Sequence, residues 1–146
     1  MDPLVAAALI AALVLIATAA GVATRVTSGR KRRVAVGDVT ADDVGVHALA
    51  PVATVVQFST EFCSRCPGVK RVLTGAFSDE RGIVYTDVDL THRPDLASRL
   101  RVLQTPTVLV VDALGRVVSR YAGTVPVESV RADIAELRKA DDVALV

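Results

Sequence analysis

The sequence predicts an α/β domain, a mixed central sheet with helices on both faces, preceded by a single N-terminal transmembrane helix. Three observations carry that prediction. Leu4 to Ala23, "LVAAALIAALVLIATAAGVA", is an unbroken run of twenty residues without a charge. From Pro51 onward, β-branched apolar runs alternate with stretches of helical periodicity. Two late strand-like runs are joined by a connection too short for a parallel crossover, so that pair must be antiparallel.

As a helix rising about 1.5 Å per residue, the first run would span roughly 30 Å, the hydrocarbon thickness of a bilayer. The segment "ATAAG" from Ala17 offers small residues of the kind a signal peptidase accepts. A secretory leader, however, carries positive charge ahead of its apolar core. Here Asp2 precedes the core, and Arg25, Arg30, Lys31, Arg32 and Arg33 all follow it. An uncleaved single-span anchor is expected over residues 1–24, with the lipid bilayer as partner through residues 4–23. By the positive-inside rule the N-terminus lies outside and the rest of the chain on the cytoplasmic face of the cell membrane. The basic run also suits contact with anionic lipid. The hydrophobic fraction of 51% is inflated by this segment, and a formal net charge of +1 gives no basic surface for nucleic acid.

Residues 25–50 read as a basic juxtamembrane segment and linker rich in Gly, Asp, Thr and Val. It holds one possible short strand at Val34 to Val36 and a weak helical turn near Ala41 to Val46. The folded domain is expected over residues 51–146. It opens with "ATVVQFS" (Ala53 to Ser59), β-branched and apolar over a strand's length, which reads as a buried strand. Val69, Val72, Leu73 and Ala76 then recur at i, i+3, i+4 and i+7, an amphipathic helix ending near Gly75 to Ser78. "GIVYTDVD" (Gly82 to Asp89) alternates toward a second strand, and "PDLASRL" (Pro94 to Leu100) opens with proline as helices often do. "TVLVVD" (Thr107 to Asp112) and "RVVSRYAG" (Arg116 to Gly123) form the antiparallel hairpin across a turn at Ala113 to Gly115. A last helix, Pro126 to Ala140, carries Val127, Val130, Ile134 and Leu137 on one face.

Both cysteines of the chain lie in "FCSRCP", Phe62 to Pro67. A bare Cys-x-x-Cys is a weak signal, since zinc knuckles also produce it. A structural zinc site needs four ligands, and besides the cysteines the chain holds only His47 and His92, which have no pairing spacing. No metal and no cofactor is therefore expected. A purely structural disulfide is a poor use of the pair, because the constraint on the unfolded chain shrinks with loop size. Cys63 falls where a strand gives way to a helix, close to unsatisfied backbone N–H groups and the positive end of the helix dipole. Those surroundings favour thiolate, and Arg65 can add positive charge. Cys66, one turn later, lies close enough to attack a mixed disulfide formed by Cys63. Pro67 is tolerated only in the first helical turn, so the helix must start at the cysteines.

With these residues in place the chain resembles the thioredoxin superfamily. The resemblance covers about Ala53 to Ala140 and rests on "TVVQFST", "EFCSRC", the "DVD" ending the second strand, "QTPTVLVVD" and "YAG". It implies a thioredoxin-like fold and a redox-active disulfide between Cys63 and Cys66. It further implies a cis proline at Pro106 facing the pair, preceded by Thr105, whose backbone would bind a substrate chain. Phe62 stands where the family has tryptophan, and Ser64-Arg65 where it has Gly-Pro. Gln57 replaces a buried acid and Tyr85 the lysine that accompanies it. In the family that acid takes the proton of the second cysteine, a role Gln57 cannot fill, which leaves water or the helix field to serve.

The resemblance thus implies a thiol–disulfide oxidoreductase acting on protein disulfides, most readily as a reductase, with Cys63 attacking and Cys66 resolving, and the uncharged N-terminal run would tether it to the membrane. A thioredoxin-reductase-like protein would recycle it in the cytoplasm, a membrane electron carrier outside. The alternative, motivated by Gln57, Tyr85 and Phe62, is a binding or scaffold module that keeps the fold without turnover. Two chains pooling their cysteine pairs around zinc or an iron–sulfur cluster would be a third use.

Overall fold

The computed structural model describes residues 3–27 and 38–144. Helix α1 spans Pro3–Thr27. Its described side chains, Val5 and residues 9–21, are exposed. Among the described residues no helix is long and apolar enough to cross a membrane. The span expected for Leu4–Ala23 is therefore a reading of the sequence and not a feature of the observed fold. The strand expected at Val34 to Val36 lies outside the described residues.

The domain itself is one four-stranded sheet in the order β2-β1-β3-β4. Strand β1 is Ala53–Ser59 and β2 is Ile83–Asp89, paired in parallel from Ala53↔Ile83 to Ser59↔Asp89. Strand β3, Thr107–Val111, runs antiparallel to β1, and β4, Val117–Ala122, antiparallel to β3. All seven residues of β1 are buried. That follows from its place: neighbours on both edges take its hydrogen bonds, and helices cover both faces, so apolar residues are needed on both.

One face packs against α3 (Cys66–Phe77) and α5 (Val127–Ala144), with Val55, Val108, Val110 and Tyr121 of the sheet meeting Leu73, Phe77, Val130 and Ile134. Of the apolar face expected for α3, Val69, Leu73 and Ala76 pack into this cluster, and Val72 alone does not. Val72 is 54% exposed and Phe77 is buried in its stead. Phe77, four residues beyond Leu73, lies on the same face of α3 and takes Arg131 over its ring at 5.3 Å.

On the other face, α4 (Pro94–Arg99) contributes Leu96, followed by Leu100, against Val56, Phe58, Leu109 and Val111. The same cluster contains Val39 and Val44. Residues from Val39 on thus belong to the domain, where a linker reaching Ala50 was expected. Short helix α2, Ala41–Val44, is stopped by Gly45 and opened by a reciprocal cap between Thr40 and Asp43. It is an abbreviated element, but two buried valines fix it.

Topology places the cysteine turn. β1 and β2 are parallel, so both end on the same side, where the Leu90 N–H donates to the Ser59 carbonyl at 2.9 Å. The "FCSRCP" turn continues from β1 at that end. The β3–β4 turn lies at the opposite end, since Val111 pairs with Thr54 near the start of β1.

Candidate redox site

Cys63 and Cys66 are joined by a disulfide with 5.5 Å between their Cα atoms. The turn is built by backbone bonds: the Cys63 N–H donates to the Thr60 carbonyl at 3.1 Å, and the Cys66 N–H to the Cys63 carbonyl at 3.2 Å. Helix α3 begins at Cys66, with Arg65 as its N-cap and Pro67 within the first turn. No acidic residue occupies that turn, and the positive end of the helix dipole there favours negative charge on a sulfur. The two sulfurs differ in access. Cys66 is buried, 4% exposed, whereas Cys63 is half-buried and open to solvent on the turn.

Gln57 lies fully buried beneath the turn. Its Nε2 donates to the Cys66 carbonyl at 3.1 Å, and its Oε1 accepts from the Tyr85 hydroxyl at 3.1 Å. The two residues that stand where the family carries an acid and a lysine thus form a neutral, hydrogen-bonded pair under the second cysteine. Burial, and then the negative charge of Asp87, hold the Tyr85 hydroxyl well above the usual phenol range.

Sequence reasoning missed Asp87. It sits beside Gln57 in register, accepts from the Ser59 hydroxyl at 2.8 Å and pairs with Lys70 of α3 at 3.1 Å. The signal was available in the alternation of β2, which puts Tyr85 and Asp87 on one face. Asp89 of the same motif accepts from the Thr91 N–H at 2.8 Å, and the Thr91 hydroxyl in turn accepts from the Glu61 N–H at 3.0 Å. That relay braces the residues leading into Cys63.

The Thr105–Pro106 peptide is cis. The Thr105 hydroxyl lies 3.4 Å from that of Thr60, at the end of β1, which brings the segment before Pro106 to the cysteine turn. The Pro106 carbonyl accepts from the Gly123 N–H at 2.8 Å, so "YAG" closes the hairpin against it. Phe62 is exposed, and so is Leu103 in the segment leading to Pro106. Arg65 is exposed and makes no side-chain cap. Among the described residues no group of three or more His, Cys, Asp or Glu is placed to hold a metal.

A mixed sheet whose central strand runs into a disulfide at a helix start, with a cis proline brought alongside, defines the thioredoxin-like class. The chain belongs to the thioredoxin family, whose model matches residues 40–136. Thioredoxin 1 from the thermophilic eubacterium Thermosipho africanus is similar in fold, at 18% identity and TM-score 0.53 over 61% of this chain and 98% of that one. Trichomonas vaginalis thioredoxin is similar at 21% identity and TM-score 0.52, over 60% of this chain and 80% of its own. Fasciola hepatica thioredoxin gives 20% identity and TM-score 0.51, over 60% and 82%. No curated protein matches the sequence significantly.

Proposed function

We propose that this chain is a membrane-tethered thiol–disulfide oxidoreductase working as a reductase of protein disulfides. The family and the cysteine pair support thiol–disulfide exchange. The observation that carries the assignment of roles is the unequal access of the two sulfurs at the start of α3. In the reduced protein the Cys63 thiolate attacks a substrate disulfide: a Cys63–substrate S–S bond forms, and the first substrate thiolate leaves. Cys66, shielded from solvent but one turn away, then attacks the Cys63 sulfur and releases the second substrate thiolate. The substrate gains two electrons and Cys63–Cys66 becomes the disulfide seen here. Thr105 and Pro106 hold the substrate strand, Gln57 fixes the Cys66 carbonyl, and Arg65 and Phe62 flank the pair. A thioredoxin-reductase-like protein, or a membrane carrier, returns the electrons.

The tether rests on the uncharged run Leu4–Ala23 and the basic residues behind it. The basic flank supports a domain on the cytoplasmic face.

The test uses the detergent-solubilised chain with insulin and dithiothreitol. The parent should precipitate insulin chains, Cys63→Ser should be inert, and Cys66→Ser should accumulate a mixed disulfide through Cys63. A Cys63→Ser variant as active as the parent would sink the mechanism. A Cys63 pKa at the free-thiol value, about 8.5, would favour the binding module instead.

A further inference from the structure

Between the end of α4 and Thr107 the chain passes through residues 100–106 without helix or strand, and this segment carries Thr105 and Pro106. Its start is gripped by a side chain from another element. Arg120 of β4 donates from Nη1 to the Arg101 carbonyl at 3.0 Å and from Nη2 to the Leu100 carbonyl at 2.5 Å. Arg120 is buried, 7% exposed, and its Nε has no hydrogen-bond partner. Among the described residues no carboxylate is seen to meet it. A buried cation without a counter-charge is costly, so something must compensate. Here the free carbonyls and negative dipole end of a helix C-terminus do so. Arg101, with φ +51°, is the left-handed residue that closes α4: its N–H donates to the Ser98 carbonyl at 3.0 Å and the Val102 N–H to the Ala97 carbonyl at 2.7 Å, which leaves the Leu100 and Arg101 carbonyls for Arg120.

We propose that Arg120 is a positioning residue for substrate binding: its guanidinium clamps the start of segment 100–106 and so sets where Thr105 and Pro106 stand beside the cysteine turn. This rests on the oxidoreductase reading. The rest of the segment is held from the other side, by the Thr107 hydroxyl on the Gln104 carbonyl at 2.8 Å and by Gly123 on Pro106. Arg120 is the one charged grip among these. A peptide strand laid against Thr105 needs the segment in register, whereas a small disulfide meeting Cys63 directly does not.

The experiment compares the full chain in detergent with Arg120→Met, which keeps the length but loses all donors, and Arg120→Lys, which keeps the charge. Reduction of insulin is followed with dithiothreitol as electron source, and reduction of the small aromatic disulfide 5,5′-dithiobis(2-nitrobenzoate) in a single turnover by chain that has been reduced with dithiothreitol and then freed of it, because dithiothreitol reduces that disulfide directly. Amide exchange at Val102 and Gly123 is measured alongside. In Arg120→Met the KM for insulin should rise by about tenfold or more, because misplacing a binding element by an ångström is felt on that scale. The rate with the small disulfide should stay within about twofold, and Val102 should lose protection. Arg120→Lys should fall between, and it carries the same comparison if the Met variant does not fold. An unchanged KM for insulin, or equal losses with both disulfides, would overturn the assignment. If the parent reduced neither, the oxidoreductase reading would fall, and amide exchange alone would decide: protection lost in the variant upholds the clamp, protection kept overturns it.

Discussion

Gln57 is fully buried under Cys66 and carries no charge, so it can orient the turn but cannot take a proton from it. Its amide oxygen is satisfied by Tyr85 alone among the bonds described, which ties the site to the protonation of that phenol. Tyr85 and Tyr121 are both held above the ordinary phenol value, Tyr85 by burial and Asp87, Tyr121 by burial and its 2.6 Å bond to Asp133. Because the folded values are raised, the stabilisation is fully present below the unfolded value near 10 and is lost as pH rises toward the folded ones. Thermal unfolding should therefore hold steady to about pH 9 and decline above about pH 10, with Tyr85→Phe flattening the decline. A Tm equally steep in that variant would remove Tyr85 from the account. At this scale the sequence was readable where chemistry and spacing coincide, as at Cys63, Cys66 and Pro67. It was silent on Arg120, because an arginine in a strand shows no sign of the carbonyls it meets twenty residues back.

Among the elements, β1 matched its expected bounds, since a strand buried on both faces leaves an unbroken β-branched run. The edge of the α3 face was harder to read: Val72 and Phe77 both lie beside Leu73 in an apolar pattern, and only the tertiary cluster of sheet and α5 buries Phe77 and leaves Val72 exposed. Helix α2 is four residues long, so periodicity registered it only as the weak turn expected near Ala41 to Val46, and the Thr40–Asp43 cap in "TADD" is what fixes its start. What secures this first element is a turn far along the chain. Gly115 has φ +86°, and its carbonyl accepts from the Val39 N–H at 2.8 Å. A Cβ at Gly115 would lie 2.5 Å from the Val39 carbonyl oxygen. Gly115→Ala should cost about 2–3 kcal/mol, from the left-handed backbone and the forced contact together. Gly115→Asn relieves much of the backbone term but keeps the contact. Urea unfolding of both variants separates the two: if Asn is as stable as the parent, the contact with Val39 is unimportant.

Across the whole molecule, the point where the chain enters the domain and the point where the chemistry sits are at opposite ends of the sheet. Val39 is pinned at the β3–β4 turn, while β1 delivers Phe62 and Cys63 at its far end, roughly 23 Å away for seven residues at about 3.3 Å each. The proposed anchor attaches on the side of Val39, so the cysteine end is expected to work without it, and a chain lacking residues 1–33 should reduce insulin with a kcat/KM within about twofold of the parent. A larger loss would mean that the N-terminal segment takes part in substrate binding. The same separation makes the cysteines good reporters of topology, because the chain has no others. With the basic flank on the cytoplasmic side, a membrane-impermeant maleimide should fail to label Cys63 in intact cells and label it after permeabilisation, without prior reductant, since the cytosol keeps such pairs as thiols. Labelling in intact cells would reverse the orientation. It would also change the chemistry required: outside the cytosol, electrons for Cys63–Cys66 must arrive through the bilayer, and the donor becomes a membrane carrier in place of a soluble reductase.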